Sequence, residues 1–226
     1  MIFVEVALER EIPGAIAPLL ADDRVPTQSD QMTTAVFYSI SNCQRGLRGV
    51  SFGNFLITQV VQELARDLPR LKNYVTLSPV VGLLHWVRQL GRDGPLQDNE
   101  RYQRISKLLE HTGWHQNESI AAELQEMLLP TAAAYFLNAK RGDGMPVDAV
   151  ARFHLGNGAR LERINWLGDL SDVGLNQAGG LMVNYLYKLT DIEKNHEAFV
   201  NNRRIAVSNE IRKMAKKWQQ EFGFDK

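Results

Sequence analysis

The sequence holds a single cysteine, Cys43, in 226 residues, so no disulfide can close within the chain and no cysteine cage can hold zinc. So few thiols suit a reducing compartment, and the expected setting is cytoplasmic. Net charge is missing too: 26 Lys and Arg stand against 26 Asp and Glu, which removes the basic footprint of a general DNA or RNA binder. No apolar run approaches the roughly 18 residues of a membrane helix, and the first residues show neither the basic start nor the small-residue cleavage site of an export signal. Neither nucleic acid nor a membrane is the expected partner. What is present, 44% hydrophobic residues over this length, suffices for the core of one domain.

Ile2 to Leu8 reads as a β-branched strand that starts directly after Met1, so the chain is expected to begin partway through a larger domain. Ala15 to Leu20 suggests a short helix before a loop. Thr34 to Ile40 has strand composition and Gln44 to Gly53 is glycine-rich. Phe52, Leu56, Val60, Leu64 and Leu68 then recur every fourth residue up to Pro69, the stripe of an amphipathic helix. Tyr74 to Leu77 supplies a second strand that ends at Ser78-Pro79. Strand, crossover helix and strand make the two strands parallel. Val80 to Leu137 reads as three or four helices, broken at Asp93-Gly94-Pro95 and at Asn117-Glu118-Ser119. After a loop over 138–148, Val150 to Leu155 and Arg160 to Trp166 flank Gly156-Asn157-Gly158 and read as a β-hairpin. Gly179 to Leu189 fits strand or helix. Ile205 to Phe222 fits an amphipathic helix whose basic face (Arg203, Arg204, Arg212, Lys213, Lys216, Lys217) is most simply solvated.

Three places carry candidate chemistry. Between the Thr34 strand and the following helix, glycines allow close backbone approach to a ligand, and the free N–H groups of a first helical turn favour phosphate. The spacing fails the dinucleotide fingerprint, and the P-loop lysine is absent; the alternative is an ordinary tight turn. Ser78 follows the parallel Tyr74 strand and so shares one sheet edge with that glycine loop, the edge where open α/β sheets bind ligands; a serine before proline also simply turns a chain. His154, on the presumed hairpin, alternates away from Phe153 and Leu155, where a histidine can exchange a proton near neutral pH or lie idle on the surface. His111 and His115 have helical spacing but no acidic third ligand, and Cys43 beside the loop reads as inert.

Several ordered blocks resemble a known family: Ala35 to Gln44, Gly46-Leu47-Arg48-Gly49-Val50, Thr76-Leu77-Ser78-Pro79, Pro130 to Leu137, and Ala151 to Ala159, followed by Asn165-Trp166 and Gly180 to Tyr185. Together they are similar to the catalytic domain of malonyl-CoA decarboxylases, over almost the whole chain. The resemblance implies residues 1–226 as a single GNAT-like catalytic domain of α+β class, truncated at its N-terminal side: a mixed, mostly antiparallel sheet flanked by helices, with CoA in a cleft between splayed strands. It implies Ser78 and His154 as the catalytic pair. It also implies CoA binding by Arg48, Gly49, Val50, Ser51, Phe52, Gly53 and Asn54, with Tyr187 near the reacting acyl group. The family's amino-terminal helical domain and a carboxyl-terminal Ser-Lys-Leu address have no counterpart in the sequence.

The implied reaction turns malonyl-CoA into acetyl-CoA and carbon dioxide through a stabilised thioester enolate. No metal and no cofactor is called for, CoA being part of the substrate. Malonyl-CoA is the expected partner, and self-association into a homo-oligomer stays open. The competing readings are acyl transfer from acyl-CoA to an amine on the same fold and a catalytically silent acyl-CoA-binding fragment.

Overall fold

A computed structural model of the chain describes residues 2–23, 31–42, 53–92, 94 and 96–222. Along the chain run β1 (Ile2–Glu9), α1 (Ala17–Leu20), β2 (Thr34–Asn42), α2 (Gly53–Asp67), β3 (Asn73–Thr76), β4 (Ser78–Pro79), α3 (Leu83–Arg92), α4 (Glu100–Leu109) and α5 (Glu118–Asn138). They are followed by α6 (Ala149–Gly156), β5 (Arg160–Asn165), α7 (Asp172–Ala178), β6 (Met182–Leu186), α8 (Ile192–Asn202) and α9 (Asn209–Phe222). These elements sort into two compact units. The first comprises Met1–Ser78, Ala149–Arg163 and Val183–Val207; the second Pro79–Asp148, Ile164–Met182 and Ser208–Lys226.

The first unit carries the sheet. Its strand order is β1-β2-β3-β6-β4, with β5 also paired to β6, and the strand ends at Pro79, Ile164–Asn165 and Met182 count with the second unit. β1 lies antiparallel to β2 from Ile2↔Asn42 to Glu9↔Thr34, with an irregularity between Glu5 and Val6. β2 and β3 run parallel, Thr34↔Asn73 to Phe37↔Thr76, as the strand–helix–strand reading requires. β3 meets β6 antiparallel at Val75↔Leu186. The sheet is thus mixed, mostly antiparallel and flanked by helices, the architecture that the GNAT-like expectation describes.

Periodicity explains the helices, with two corrections. Among the described side chains of α2, Ile57 and Val61 are fully buried, while Val60 and Leu64 of the expected stripe are half-buried. The buried stripe of a helix is wide enough to be centred one residue away from the most regular repeat. The larger correction concerns α6. Residues 149–156 form a helix, not the first strand of a hairpin. Ala151, His154 and Leu155 are buried while Phe153 is 37% exposed, the i, i+3, i+4 pattern of one helical face. The glycines that suggested a hairpin end this helix instead. Gly158 sits at φ +79°, where a Cβ would lie 2.8 Å from the Ile192 carbonyl carbon, so no other residue fits without movement. α8 holds the same turn: His196 Nδ1 donates to the Gly156 carbonyl at 2.6 Å and Asn195 Nδ2 to that of Gly158 at 3.1 Å.

In the second unit α4, α5 and α7 start on side-chain caps from Asn99, Asn117 and Ser171, each accepting an N–H that the first turn leaves unpaired. From Thr131 to Phe136 α5 is buried without a break, as befits the central helix of its unit. α9 buries Ile211, Ala215, Trp218 and Phe222 and keeps Arg212, Lys213, Lys216 and Lys217 in solvent. Residues 205–208, expected to be helical, run extended, and Leu161 N–H donates to the Ala206 carbonyl at 2.9 Å. Gly179 to Leu189 resolves in favour of strand, as β6. No described helix is long and apolar enough to cross a membrane.

Candidate functional site

Ser78, His154 and Tyr187, 76 and 33 residues apart in sequence, come together inside the first unit. The ends of β3 and β6 prepare the place. After Val75↔Leu186 the backbone ladder is interrupted: Tyr185 N–H donates to the Thr76 hydroxyl at 3.2 Å instead of to a carbonyl. The Thr76 carbonyl takes Asn184 Nδ2 at 2.9 Å. Asn184 is itself anchored, donating to the Pro13 carbonyl at 3.2 Å and accepting from Arg163 Nε at 3.3 Å. Side chains thus replace strand pairing where β3 passes into Ser78.

His154 enters from α6. Its ring stacks on Tyr185, centroids 4.7 Å apart and planes at 25°. Its Nδ1 lies 2.8 Å from the Tyr187 hydroxyl and its Nε2 3.5 Å from Ser78 Oγ. Ser78 Oγ in turn donates to Thr76 Oγ1 at 3.0 Å. All these residues are buried, Ser78 at 6% exposure and His154 at 4%.

Counting protons gives this chain a direction. A hydroxyl has one hydrogen to donate, and that of Ser78 goes to Thr76, so Ser78 can only accept from His154. An imidazole hydrogen on Nε2 completes this pattern, with Nδ1 left to accept the O–H of Tyr187. In that pattern the order runs from Tyr187 to His154 to Ser78 to Thr76. Its middle link is the loosest, because 3.5 Å is long for an N–H···O bond.

Electrostatics keep the chain uncharged. Burial lowers the His154 pKa to about 3, since an imidazolium loses more solvation there than a neutral ring. The same burial raises the Tyr187 hydroxyl well above its ordinary value. Near neutral pH the group is a buried, neutral set of hydrogen-bonding side chains. The expectation that His154 faces away from the core is thereby corrected: the helical period turns it inward, with Leu155.

The loop assigned to CoA is described only in part. Arg48, Gly49, Val50, Ser51 and Phe52 lie outside the described residues, as does Cys43; Gly53 and Asn54 form the first turn of α2. Among the described residues, His111 and His115 included, no group of three or more His, Cys, Asp or Glu is gathered as a metal ion would need. Thr76 and Tyr185 were not singled out by the sequence. Strand alternation carries a signal for both, since Thr76 lies two residues before Ser78 and Tyr185 two before Tyr187, each on the same face as its neighbour.

Comparison with known proteins places the chain in a family. The family profile described as malonyl-CoA decarboxylase C-terminal domain matches residues 1–223. A curated relative from Anser anser anser, "Malonyl-CoA decarboxylase, mitochondrial", is 34% identical over 97% of this chain and 48% of its own length. Its namesake from Rattus norvegicus is 32% identical over 97% and 49%. The chain spans about half the length of the curated relatives it matches. Among solved structures, malonyl-CoA decarboxylase from Rhodopseudomonas palustris superposes with a TM-score of 0.89 at 52% identity, over 94% of this chain and 49% of that one. The Agrobacterium vitis protein gives 0.88 at 51%, over 94% and 53%. Matched along nearly its full length in sequence and backbone, the chain belongs to the malonyl-CoA decarboxylase family.

Proposed function

We propose that this chain decarboxylates malonyl-CoA to acetyl-CoA and carbon dioxide, with residues 1–226 acting as one catalytic domain. The observation that carries the reading is the directed chain from Tyr187 through His154 and Ser78 to Thr76. Breaking the bond between the α-carbon and the carboxylate releases carbon dioxide and sends its electron pair into the thioester carbonyl, making an enolate. The thioester is its own electron sink, so no cofactor and no metal is called for. What the reaction asks of the protein is a donor at the enolate oxygen and a proton for the α-carbon.

A neutral imidazole with its hydrogen on Nε2 can meet the first need. That hydrogen is weakly held by Ser78 across 3.5 Å and is available to a better acceptor placed in line with it, the oxygen on which negative charge grows. Ser78 supplies a hydroxyl beside it, and the proton for the α-carbon reaches the substrate through this pair. The resting direction of the chain speaks against a nucleophilic serine, because Ser78 would have to give its proton to His154 and gives it to Thr76 instead. CoA binding is assigned to residues 48–54, where glycines and the first turn of α2 suit a pyrophosphate. The cytoplasmic setting rests on composition alone; the curated relatives are named mitochondrial.

Incubating the purified protein with malonyl-CoA, with and without an amine, tests the reading. Equal amounts of acetyl-CoA and carbon dioxide are expected, independent of the amine. An acylated amine would make the protein a transferase, and CoA binding with no turnover would make it a silent binder.

A further inference from the structure

We propose that Thr76 is a positioning residue for the decarboxylation proposed above: by taking the Ser78 proton, its hydroxyl oxygen holds the His154 imidazole in the Nε2–H form. Two proton arrangements fit the same heavy atoms. In one, Ser78 donates to Thr76, so His154 donates from Nε2 and accepts at Nδ1 from Tyr187. In the other, Ser78 donates to Nε2, the imidazole hydrogen moves to Nδ1, and that group donates to the Tyr187 oxygen. Only the first presents an N–H toward Ser78. The choice depends on whether Ser78 has an acceptor other than His154, and Thr76 Oγ1, 3.0 Å away and fully buried, is that acceptor.

Thr76 is held for this task. Its carbonyl accepts from Asn184 Nδ2 at 2.9 Å, and its hydroxyl oxygen also accepts Tyr185 N–H at 3.2 Å. With Ser78 O–H and Tyr185 N–H both directed at it, Oγ1 has used its two acceptor sites and has left only its own hydrogen to give. It is therefore fixed as the acceptor end of the chain. The same residue places Tyr185, whose ring stacks on His154, so one side chain sets both the proton order and the backing of the imidazole.

Valine matches threonine in shape and lacks the acceptor, which makes Thr76→Val the informative change and Thr76→Ser its rescue. Long-range nitrogen–proton spectra of protein labelled on histidine separate the two neutral ring forms, and His154→Gln identifies the His154 signals among the five histidines. At pH 7 the wild type and Thr76→Ser are expected to show His154 as Nε2–H, and Thr76→Val as Nδ1–H. With malonyl-CoA, Thr76→Val should lower kcat by about tenfold to a hundredfold with KM nearly unchanged, and Thr76→Ser should restore most of it. Should the valine variant not fold, Thr76→Cys, which keeps the volume with a weak acceptor, should show the same move toward Nδ1–H. A His154 ring that stays Nε2–H in the folded variant overturns the proposal, and so does a changed ring form with unchanged kcat. If the wild type does not consume malonyl-CoA, the decarboxylation reading falls, while the ring spectra still decide the role of Thr76 in ordering the protons.

Discussion

Lowering the pH from 7 to 5 should destabilise this fold by about 2 kcal/mol through His154 alone. In the unfolded chain a histidine titrates near 6.5; in the folded protein burial brings His154 down to about 3. Between those values the unfolded chain binds a proton that the folded one refuses. The stabilising contribution is therefore complete above about pH 6.5 and is lost progressively as the pH falls toward 3. Over that whole window the difference is on the order of 5 kcal/mol, and by pH 5 the first 2 kcal/mol or so are gone. For a protein of this size that is a fall of about 4–8 °C in melting temperature. The assay compares thermal unfolding of the wild type and His154→Gln at pH 7 and pH 5. Contributions from carboxylates and from the other histidines appear in both proteins and cancel in the comparison. His154→Gln should start less stable, for want of the Tyr187 bond and the stacking on Tyr185, yet lose less between the two pH values. Equal losses in the two proteins would refute the argument, because His154 would then titrate alike folded and unfolded.

His154→Ala and Ser78→Ala should each reduce malonyl-CoA turnover by about a hundredfold or more while leaving CoA affinity nearly unchanged; a variant with wild-type turnover removes that residue from the mechanism. Gly49→Val and Gly53→Val should weaken CoA more than a pantetheine thioester that lacks the nucleotide, as calorimetric titration would show, and equal weakening of both would mean general damage in place of a lost phosphate contact. Gly158→Ala should lower the melting temperature by several degrees, since its positive φ and the Ile192 carbonyl leave a methyl group nowhere to go; unchanged melting would show that the turn between α6 and β5 adapts.

The front of the sheet is legible in the sequence because its signals are local. β1, β2, α2 and β3 each announce themselves through β-branched runs, a four-residue repeat or a terminating Pro69, and the parallel pairing of β2 and β3 follows from the helix between them. His154 shows where local pattern fails. Ala151 to Leu155 is too short to separate a period of 2 from one of 3.6, and Gly156-Asn157-Gly158 ends a helix as readily as it turns a hairpin. Choosing the wrong period inverts the face, so a histidine read as outward is in fact buried, at 4% exposure. Ser78 and His154 stand out as candidates from local pattern, their catalytic pairing and Tyr187 only through family resemblance; the meeting of the three is non-local, and no spacing encodes it. Thr76 is the intermediate case. Its place two residues before Ser78 on a strand was visible, but its role appears only once its hydroxyl is seen to accept from two donors.

Neutrality is the property of this site that the proposed reaction can best exploit. Malonyl-CoA already carries a negative charge on the carboxylate that will leave, and the transition state moves part of that charge to the thioester oxygen. A lysine or imidazolium near the acyl end would bind the ground-state carboxylate as well as the enolate, and stabilising both alike does not raise kcat. Burial prevents that for His154 by keeping the ring uncharged. A neutral Nε2–H, aimed by Tyr187 from behind, favours the enolate oxygen through position instead of net charge. Its hold on the ground state is correspondingly weak. The low pKa of His154 and the fixed direction of its proton are then two parts of one requirement: the first removes the charge that would favour substrate, and the second places the hydrogen where charge arrives.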